Sequence, residues 1–318
     1  MFKEYGGYIE WEYYSGKEYH DGYRFDSVRS AFLSCAKEKG YKHVLLPVYL
    51  CSCFCELFYD IGLEYSFYHI DKNFKPILSQ KSYTEEECLF LVNYFGQLNE
   101  DYILEMSVKH NIFLDNTQDF FCKKIKGIDM ANSCRKYLGV ADGSYLYSTT
   151  ILDMENYEYD SVIDKVKCLV GRFEKNASEY YKCFQKNEEI MRGKPIKRMS
   201  KLTQNILKSL DYNEIIQKRT SNFFVLDKML SSYNELKIIN NGGLFMYPLL
   251  VKNGMEIKNK LISKKIYTPT LWPGISEMIE SNLWEKHLTD DIIWLPIDQR
   301  YNTKDMESIS KMVCDLLG

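Results

Sequence analysis

The chain lacks any run of about 18 consecutive apolar residues, the length a membrane-crossing helix needs. Its first residues, Met1-Phe-Lys-Glu-Tyr-Gly-Gly7, lack the basic-then-apolar pattern of a leader. The expectation is a cytoplasmic protein without a membrane partner. An excess of charge is missing too. The 41 Lys and Arg stand against 44 Asp and Glu, for a formal net charge of -3, so nothing global calls for nucleic acid. No glycine-rich phosphate loop, internal repeat or low-complexity segment is present. Zinc-type spacing is also absent. In the densest cysteine group, Cys51-Ser-Cys53-Phe-Cys55, single residues separate the thiols and no histidine lies close by. No metal is therefore expected. In a chain this long, the ten cysteines read as buried reduced thiols rather than a disulfide framework.

What is present is core material. With 318 residues and 45% hydrophobic content, the chain can bury a large interior. The length suggests one large domain and a smaller one, divided here into residues 1–235 and 236–318. Because the chain carries 26 tyrosines and 17 phenylalanines, a single aromatic near a motif says little.

The pattern alternates. Asp26-Ser27 reads as a helix start, followed by Val28, Ala31, Phe32 and Cys35 at helical spacing, with Gly40 as the stop. A strand is expected over His43–Pro47, a helix over about Cys51–Tyr59, and strands over Tyr65–Ile70 and Cys88–Phe95. Asn99 suits the cap of a helix running through His110, and strands are expected at Ile112–Leu114, Ile128–Ser133 and Ser144–Ser148. This alternation predicts an α/β fold with a mostly parallel central sheet flanked by helices. From about Tyr157 to Leu236 the pattern is helical; strands resume at Leu244–Val251, and Met306–Leu317 forms a last amphipathic helix. That final part reads as a small α+β domain.

In open α/β sheets, ligands sit at the carboxyl ends of the strands. The apolar run Asn111-Ile-Phe-Leu114 delivers Asp115-Asn-Thr-Gln118 to such an end. An aspartate there can keep a pyridine nitrogen protonated, and Gln118 can donate to the ring's phenolic oxygen. The same two residues also fit a turn-capping aspartate and a surface glutamine. Downstream, Ser133-Cys-Arg-Lys136 lies between two strands. A partly desolvated Lys136 could bind the aldehyde of such a ring covalently and then shuttle a proton. A solvated lysine beside Arg135 is the plain alternative. The helix start Ser27-Val28-Arg29 offers backbone N–H groups, a hydroxyl and a guanidinium to a phosphate; a simple serine cap explains the same residues. Acid, glutamine, lysine and phosphate cradle together point to pyridoxal 5'-phosphate.

These pieces, in this order, resemble the DegT/StrS-type sugar aminotransferases, and the resemblance covers nearly the whole chain. Asp115-Asn-Thr-Gln118 looks like that family's Asp-x-x-Gln, and Val92-Asn-Tyr-Phe-Gly96 resembles the strand and turn before it. Lys136 stands six residues before Asp142-Gly143-Ser144, which looks like the family's Glu-Gly-Gly. Ser133-x-x-Lys136 resembles a motif whose serine helps hold the phosphate, and Leu45-Leu-Pro47 followed by Tyr49 resembles a strand ending in proline and an aromatic. Asp211, Ile215, Arg219 and Asn222 fit the family's domain-joining helix, and Leu295-Pro-Ile-Asp-Gln-Arg300 is similar to its C-terminal signature.

The resemblance implies a pyridoxal-phosphate enzyme of fold type I. It implies an amino donor, glutamate being typical, a keto-sugar acceptor that is nucleotide-linked, and a homodimer with shared active sites. It casts Lys136 as catalytic, with Asp115, Gln118, Ser133, Ser27, Val28, Arg29 and Tyr49 holding the cofactor. There are departures. The interval from Asp115 to Lys136 is 136 − 115 = 21 residues, short for the family. The ring-stacking aromatic would fall near Cys51, which leaves that role to Tyr49 or to no residue at all. The asparagine lent by a second subunit would align near Ile196, although Arg198 and Ser200 match its neighbours. A basic segment with Arg192, Lys194, Lys197, Arg198 and Lys201 suits phosphates or a solvated loop, and Trp272-Pro-Gly274 resembles the segment entering the substrate cleft. Two rivals follow: a non-catalytic relative acting as a binding module, and a dehydratase using the same cofactor. The known sugar dehydratases of this kind carry histidine in place of the lysine, so Lys136 argues against the second.

Overall fold

The computed structural model describes residues 5–79, 84–190, 195–272, 274–275, 279–280 and 283–318. Arg192, Lys194 and Pro273 lie outside them. In chain order the larger part runs β1 (Tyr23–Phe25), α1 (Val28–Lys39), β2 (His43–Pro47), α2 (Cys53–Ile61), β3 (Glu64–Ile70), β4 (Pro76–Ile77), β5 (Glu87–Val92), α3 (Glu100–Lys109), β6 (Asn111–Asn116), β7 (Asp129–Ser133) and β8 (Ser144–Tyr147). The eight strands form one sheet in the order β1-β8-β7-β6-β5-β2-β3-β4. β3, β2, β5, β6 and β7 run parallel, while β8, β1 and β4 pair antiparallel at the edges. The expected α/β sheet is borne out.

Local chemistry explains the elements that frame the sheet. Ser27 opens α1, its hydroxyl accepting the Ser30 N–H, and Gly40 closes it at φ 69°, donating back to Ala36 and Lys37. Asn99 caps α3 through the Tyr102 N–H. The middle strands are unbroken apolar runs because helices cover both faces. Phe90 of β5 lies opposite Phe113 of β6, their rings stack at 5.5 Å, and Phe32 of α1 meets Phe113 at 4.9 Å. Since side chains alternate across a strand, Asp115 shares the face of Phe113 that α1 covers.

Then follow α4 (Lys167–Glu174), α5 (Ala177–Ile190), α6 (Lys201–Leu207), α7 (Tyr212–Leu230), β9 (Tyr247–Leu250), α8 (Gly254–Ser263), α9 (Trp284–Asp291), β10 (Ile292–Leu295) and α10 (Thr303–Leu317). The expectation of unbroken helix from Tyr157 to Leu236 needs correction. Arg198 lies in extended chain that bridges to Phe25 and Tyr159, and its backbone bonds with Glu158 and Asp160 take the place of helical ones. The expected strand through Phe95 is likewise shorter. It ends at Val92, and Phe95 turns the chain at φ 54°. β9 and β10 form a small antiparallel sheet over a second apolar cluster that includes Phe223, Leu226, Leu249, Ile293 and Val313. Among the described residues no helix is long and apolar enough to cross a membrane, and no group of three or more His, Cys, Asp or Glu is placed to hold a metal.

Candidate active site

Asp115 is the penultimate residue of β6 and a buried carboxyl, 4% exposed, with Val92 and Ala131 as its neighbours in the sheet. Its Oδ1 accepts the Thr117 N–H at 2.8 Å. Burial pushes its pKa up to about 6; Thr117 and, more weakly, the charge of Lys136 oppose that rise. A buried acid of this kind gains from a cation placed against it.

Lys136 sits in the turn between β7 and β8, within its influence. The side chain is exposed to solvent, and the protein packed around it, and next the charge of Arg135, draw its ammonium pKa down from the ordinary value. Cys51, Cys53 and Asp115 act the other way. The Nζ lies 5.9 Å from the centre of the Phe245 ring.

Gln118 is buried, and its Oε1 accepts the Phe95 N–H at 3.0 Å. That donor fixes which end of the amide is oxygen, so the NH₂ is what Gln118 can offer a ligand. The Tyr137 hydroxyl donates to the Gln118 carbonyl at 2.6 Å. The carbonyl of Tyr137 accepts both Arg219 Nη2 at 3.0 Å and Gln299 Nε2 at 2.9 Å. Arg219 also donates to the carbonyls of Leu244 and Phe245 and to Gln299 Oε1. One buried guanidinium thus braces the turn that carries Lys136 against the C-terminal part of the chain.

The start of α1 adjoins the same turn. Gly143 N–H donates to the Asp26 carbonyl at 2.7 Å, and Cys134 N–H donates to the Gly143 carbonyl at 3.0 Å. Gly143 has φ 122°, and a Cβ there would stand 3.1 Å from both Cys134 Sγ and Thr203 Cγ2, so the crossing requires glycine. The Ser27 hydroxyl is 3.2 Å from Asp26 Oδ1 and 3.3 Å from Ser30 Oγ. It therefore serves first as the cap of its own helix. Val28 is buried and Arg29 half-buried in the first turn. Arg29 lowers the pKa of Arg135, whose main perturbation is burial, and Asp142 and Asp26 oppose this. Arg135 also pairs with Glu188 of α5. Ser133, mostly buried, closes β7 opposite Ser144.

Other expected site features take structural places. Tyr49 is fully buried with its hydroxyl unpartnered, edge-on to Trp272 at 4.6 Å and tilted on Tyr94 at 5.5 Å. Asp142 accepts the N–H and hydroxyl of Ser200 at 2.7 and 2.8 Å and the hydroxyl of Thr203, fastening the start of α6. Arg198 pairs with Glu155 and lies over the Tyr159 ring at 4.0 Å. Cys51 and Cys55 are half-buried rather than buried, a correction to the reading of that cluster.

The residues present fit pyridoxal phosphate. Asp115 is a buried carboxyl with no ion pair among the described residues that could take a ring N–H⁺. Gln118 presents an oriented donor, Lys136 an amine of lowered pKa, and the α1 terminus cationic and N–H groups. Sequence reading missed Tyr137 as a brace; its adjacency to Lys136 was the only signal. It also missed Phe95, whose role depends on a positive φ.

Comparisons support the architecture. No protein-family model matches the chain. No curated protein matches it either. Among solved structures, a DegT DnrJ EryC1 StrS aminotransferase from Brucella abortus superposes with a TM-score of 0.61 at 12% identity, over 94% of this chain and 86% of that one. Helicobacter pylori PseC, an aminotransferase involved in the biosynthesis of pseudoaminic acid, gives 0.62 at 13%, over 92% and 85%. DesI, crystallised in the presence of its TDP-sugar product, gives 0.60 at 10%, over 92% and 80%. The chain has the fold of these aminotransferases.

Proposed function

We propose that the chain is a pyridoxal-phosphate-dependent aminotransferase that passes an amino group from an amino acid, glutamate being typical, to a nucleotide-linked keto-sugar. The observation that carries this reading is the buried Asp115, without an ion pair among the described residues, at the carboxyl end of the parallel strands, with Lys136 in the turn after the neighbouring β7. The fold likeness and the neighbouring sugar aminotransferases support it. Residues 1–235 and 236–318 are its two domains, and a homodimer is its working form.

When bound, pyridoxal phosphate supplies a protonated ring that withdraws electrons from an adjacent carbon. The chain's residues do the rest. Asp115 would hold the proton on the ring nitrogen, since an ion pair in a buried setting favours both charges. Gln118 would donate through its amide nitrogen to the phenolic oxygen. Ser133, Ser27, Arg29 and the Val28 N–H would hold the phosphate, using the field of the α1 terminus. Lys136, with its lowered pKa, is free amine for a larger fraction of the time, which suits it to attack an aldehyde and to take or return a proton.

The test is direct. Protein mixed with pyridoxal phosphate turns yellow, borohydride fixes the cofactor, and mass spectrometry finds the adduct on the Lys136 peptide. Labelled glutamate then transfers its nitrogen to the cofactor. A protein that stays colourless with excess cofactor sinks the proposal, and bound cofactor without nitrogen transfer favours the binding-module reading.

A further inference from the structure

The geometry points to a second binding site on this chain, a pocket for the phosphate or diphosphate group of a small metabolite at the β1 edge of the large sheet. A cavity of about 500 Å³ opens there, beside β1 and the far end of β8. Lys124, Arg198 and Arg24 line it against one acid, Asp21, with Tyr147 and Tyr159 as its aromatic walls. The described residues that line it include none of Asp115, Gln118, Ser133 or Lys136. β8 leaves the lysine turn at Ser144, which pairs with Ser133, and reaches the cavity at Leu146 and Tyr147. At ~3.3 Å per residue, Tyr147 stands roughly 10 Å farther along the strand.

Arg198 and Lys201 belong to the basic segment whose charge the proposed function leaves unused. The backbone of Arg198 is fixed on both sides. Its N–H donates to the Glu158 carbonyl and its carbonyl accepts the Asp160 N–H, each at 2.8 Å, while the Met199 N–H donates to the Arg24 carbonyl at 3.2 Å. The Arg198 guanidinium carbon lies 4.0 Å from the centre of the Tyr159 ring, and Lys201 Nζ lies 5.6 Å from the same ring. Arg198 Nη1 donates to Glu155 at 3.2 Å, but that side chain is 85% exposed, so solvent competes for the bond. Arg198 Nε is buried and has no partner, a donor whose cost an entering phosphate oxygen would remove. Lys124 Nζ lies 5.5 Å from the Tyr147 ring centre, and no acid pairs with it among the described residues. Arg24 differs. Glu18 accepts from both its Nε and Nη2, at 2.9 and 3.2 Å, so this arginine shapes the wall rather than meeting the anion. A braced guanidinium and a mobile ammonium lining one cavity suit a phosphate, the first through forked donors and the second as a point charge.

The experiment uses the full chain without pyridoxal phosphate, so its outcome is separate from the aminotransferase reading. Isothermal titration with inorganic pyrophosphate should show a saturable site. Arg198→Gln and Lys124→Gln should each weaken it about tenfold or more, the loss of one charge-assisted contact. Arg198→Lys should recover part of that loss. Ser133→Ala and Lys136→Ala should leave the affinity as it is in wild type. Lys124 is exposed, so its variant keeps the test decisive even where Arg198→Gln fails to fold. Absence of pyrophosphate binding overturns the proposal. So does binding that either Gln variant, with its thermal midpoint matching wild type, leaves unchanged. Binding abolished by Ser133→Ala or Lys136→Ala would put the anion beside the lysine turn and overturn the second site.

Discussion

The Arg219 guanidinium donates to the backbone carbonyl of Tyr137 at 3.0 Å, joining helix α7 to the residue that follows Lys136. The arginine is 1% exposed, and its ring-facing side lies 4.6 Å from the Tyr137 ring centre. Its four side-chain hydrogen bonds all reach residues far away in sequence, so the group acts as a bolt between two parts of the chain.

Arg219→Ala should therefore destabilise the protein by about 3–5 kcal/mol, because it leaves the carbonyls of Leu244, Phe245 and Tyr137 without this donor in a buried site. Arg219→Lys should recover only part of the loss, since one ammonium cannot replace a planar fork. Urea unfolding midpoints of the two variants check this. An Arg219→Ala midpoint equal to wild type would show that the bolt carries no load.

Gln118 makes a second, separable prediction. Gln118→Ala leaves the Phe95 N–H without its acceptor where the backbone already sits at φ 54°. A loss of about 1–3 kcal/mol is expected from the unpaired buried donor. Gln118→Glu keeps the oxygen for Phe95 but removes the amide donors. Under the proposed function, Gln118→Glu should weaken pyridoxal phosphate binding more than it lowers the thermal midpoint. Titration of the visible absorbance against differential scanning calorimetry separates the two effects.

Much of this arrangement was legible in the sequence. Ser27 and Gly40 punctuate α1 by side-chain and backbone chemistry that acts within four residues, and the apolar runs at Val44–Leu46 and Ile112–Leu114 can only be covered strands. The placement of Asp115, Gln118 and Lys136 followed from strand ends. What stayed hidden depends on long-range contacts. The resemblance set Asp142 beside Lys136 as part of one motif, yet its carboxylate binds Ser200, 58 residues on. The short β1 and β10 carry too few residues to show a period, and Arg219 finds Tyr137 across 82 residues.

The pH dependence of stability has a definite sign at Asp115. Burial raises its folded-state pKa to about 6, above the ~3.9 of an unfolded aspartate. A raised carboxyl contributes stability that is fully present below the unfolded value and is lost as pH rises through the folded one. Wild type should thus lose on the order of 2 kcal/mol from this group between pH ~4 and ~6, and Asp115→Asn should not. Asp119, also pushed up to about 6 by burial, adds a parallel loss in both proteins. His20, held neutral by burial with its pKa lowered to about 4, contributes stability that is lost as pH falls toward that value. The difference between wild type and Asp115→Asn across pH 4–7 isolates the one carboxyl, and a flat difference curve would rule out the raised pKa.

Gly143 links the start of α1 to the turn that carries Lys136, and its geometry predicts a severe substitution. The residue stands at φ 122°, where an L side chain is strained. Its backbone joins Asp26 through its N–H and Cys134 through its carbonyl, so it cannot rotate away without breaking both bonds. A Cβ would meet Cys134 Sγ and Thr203 Cγ2, each 3.1 Å away, in a fully buried crossing. Strain and crowding together should cost about 2–4 kcal/mol in Gly143→Ala. Relief has to come from the neighbours. Thr203→Ser removes the crowding methyl, though not the Cys134 sulfur, while keeping the hydroxyl that Asp142 accepts. The double variant should therefore regain part of the loss, whereas two independent sites would simply add their costs. A double-mutant cycle of thermal or urea unfolding gives the coupling, and strict additivity would mean that backbone strain alone makes glycine necessary at this position.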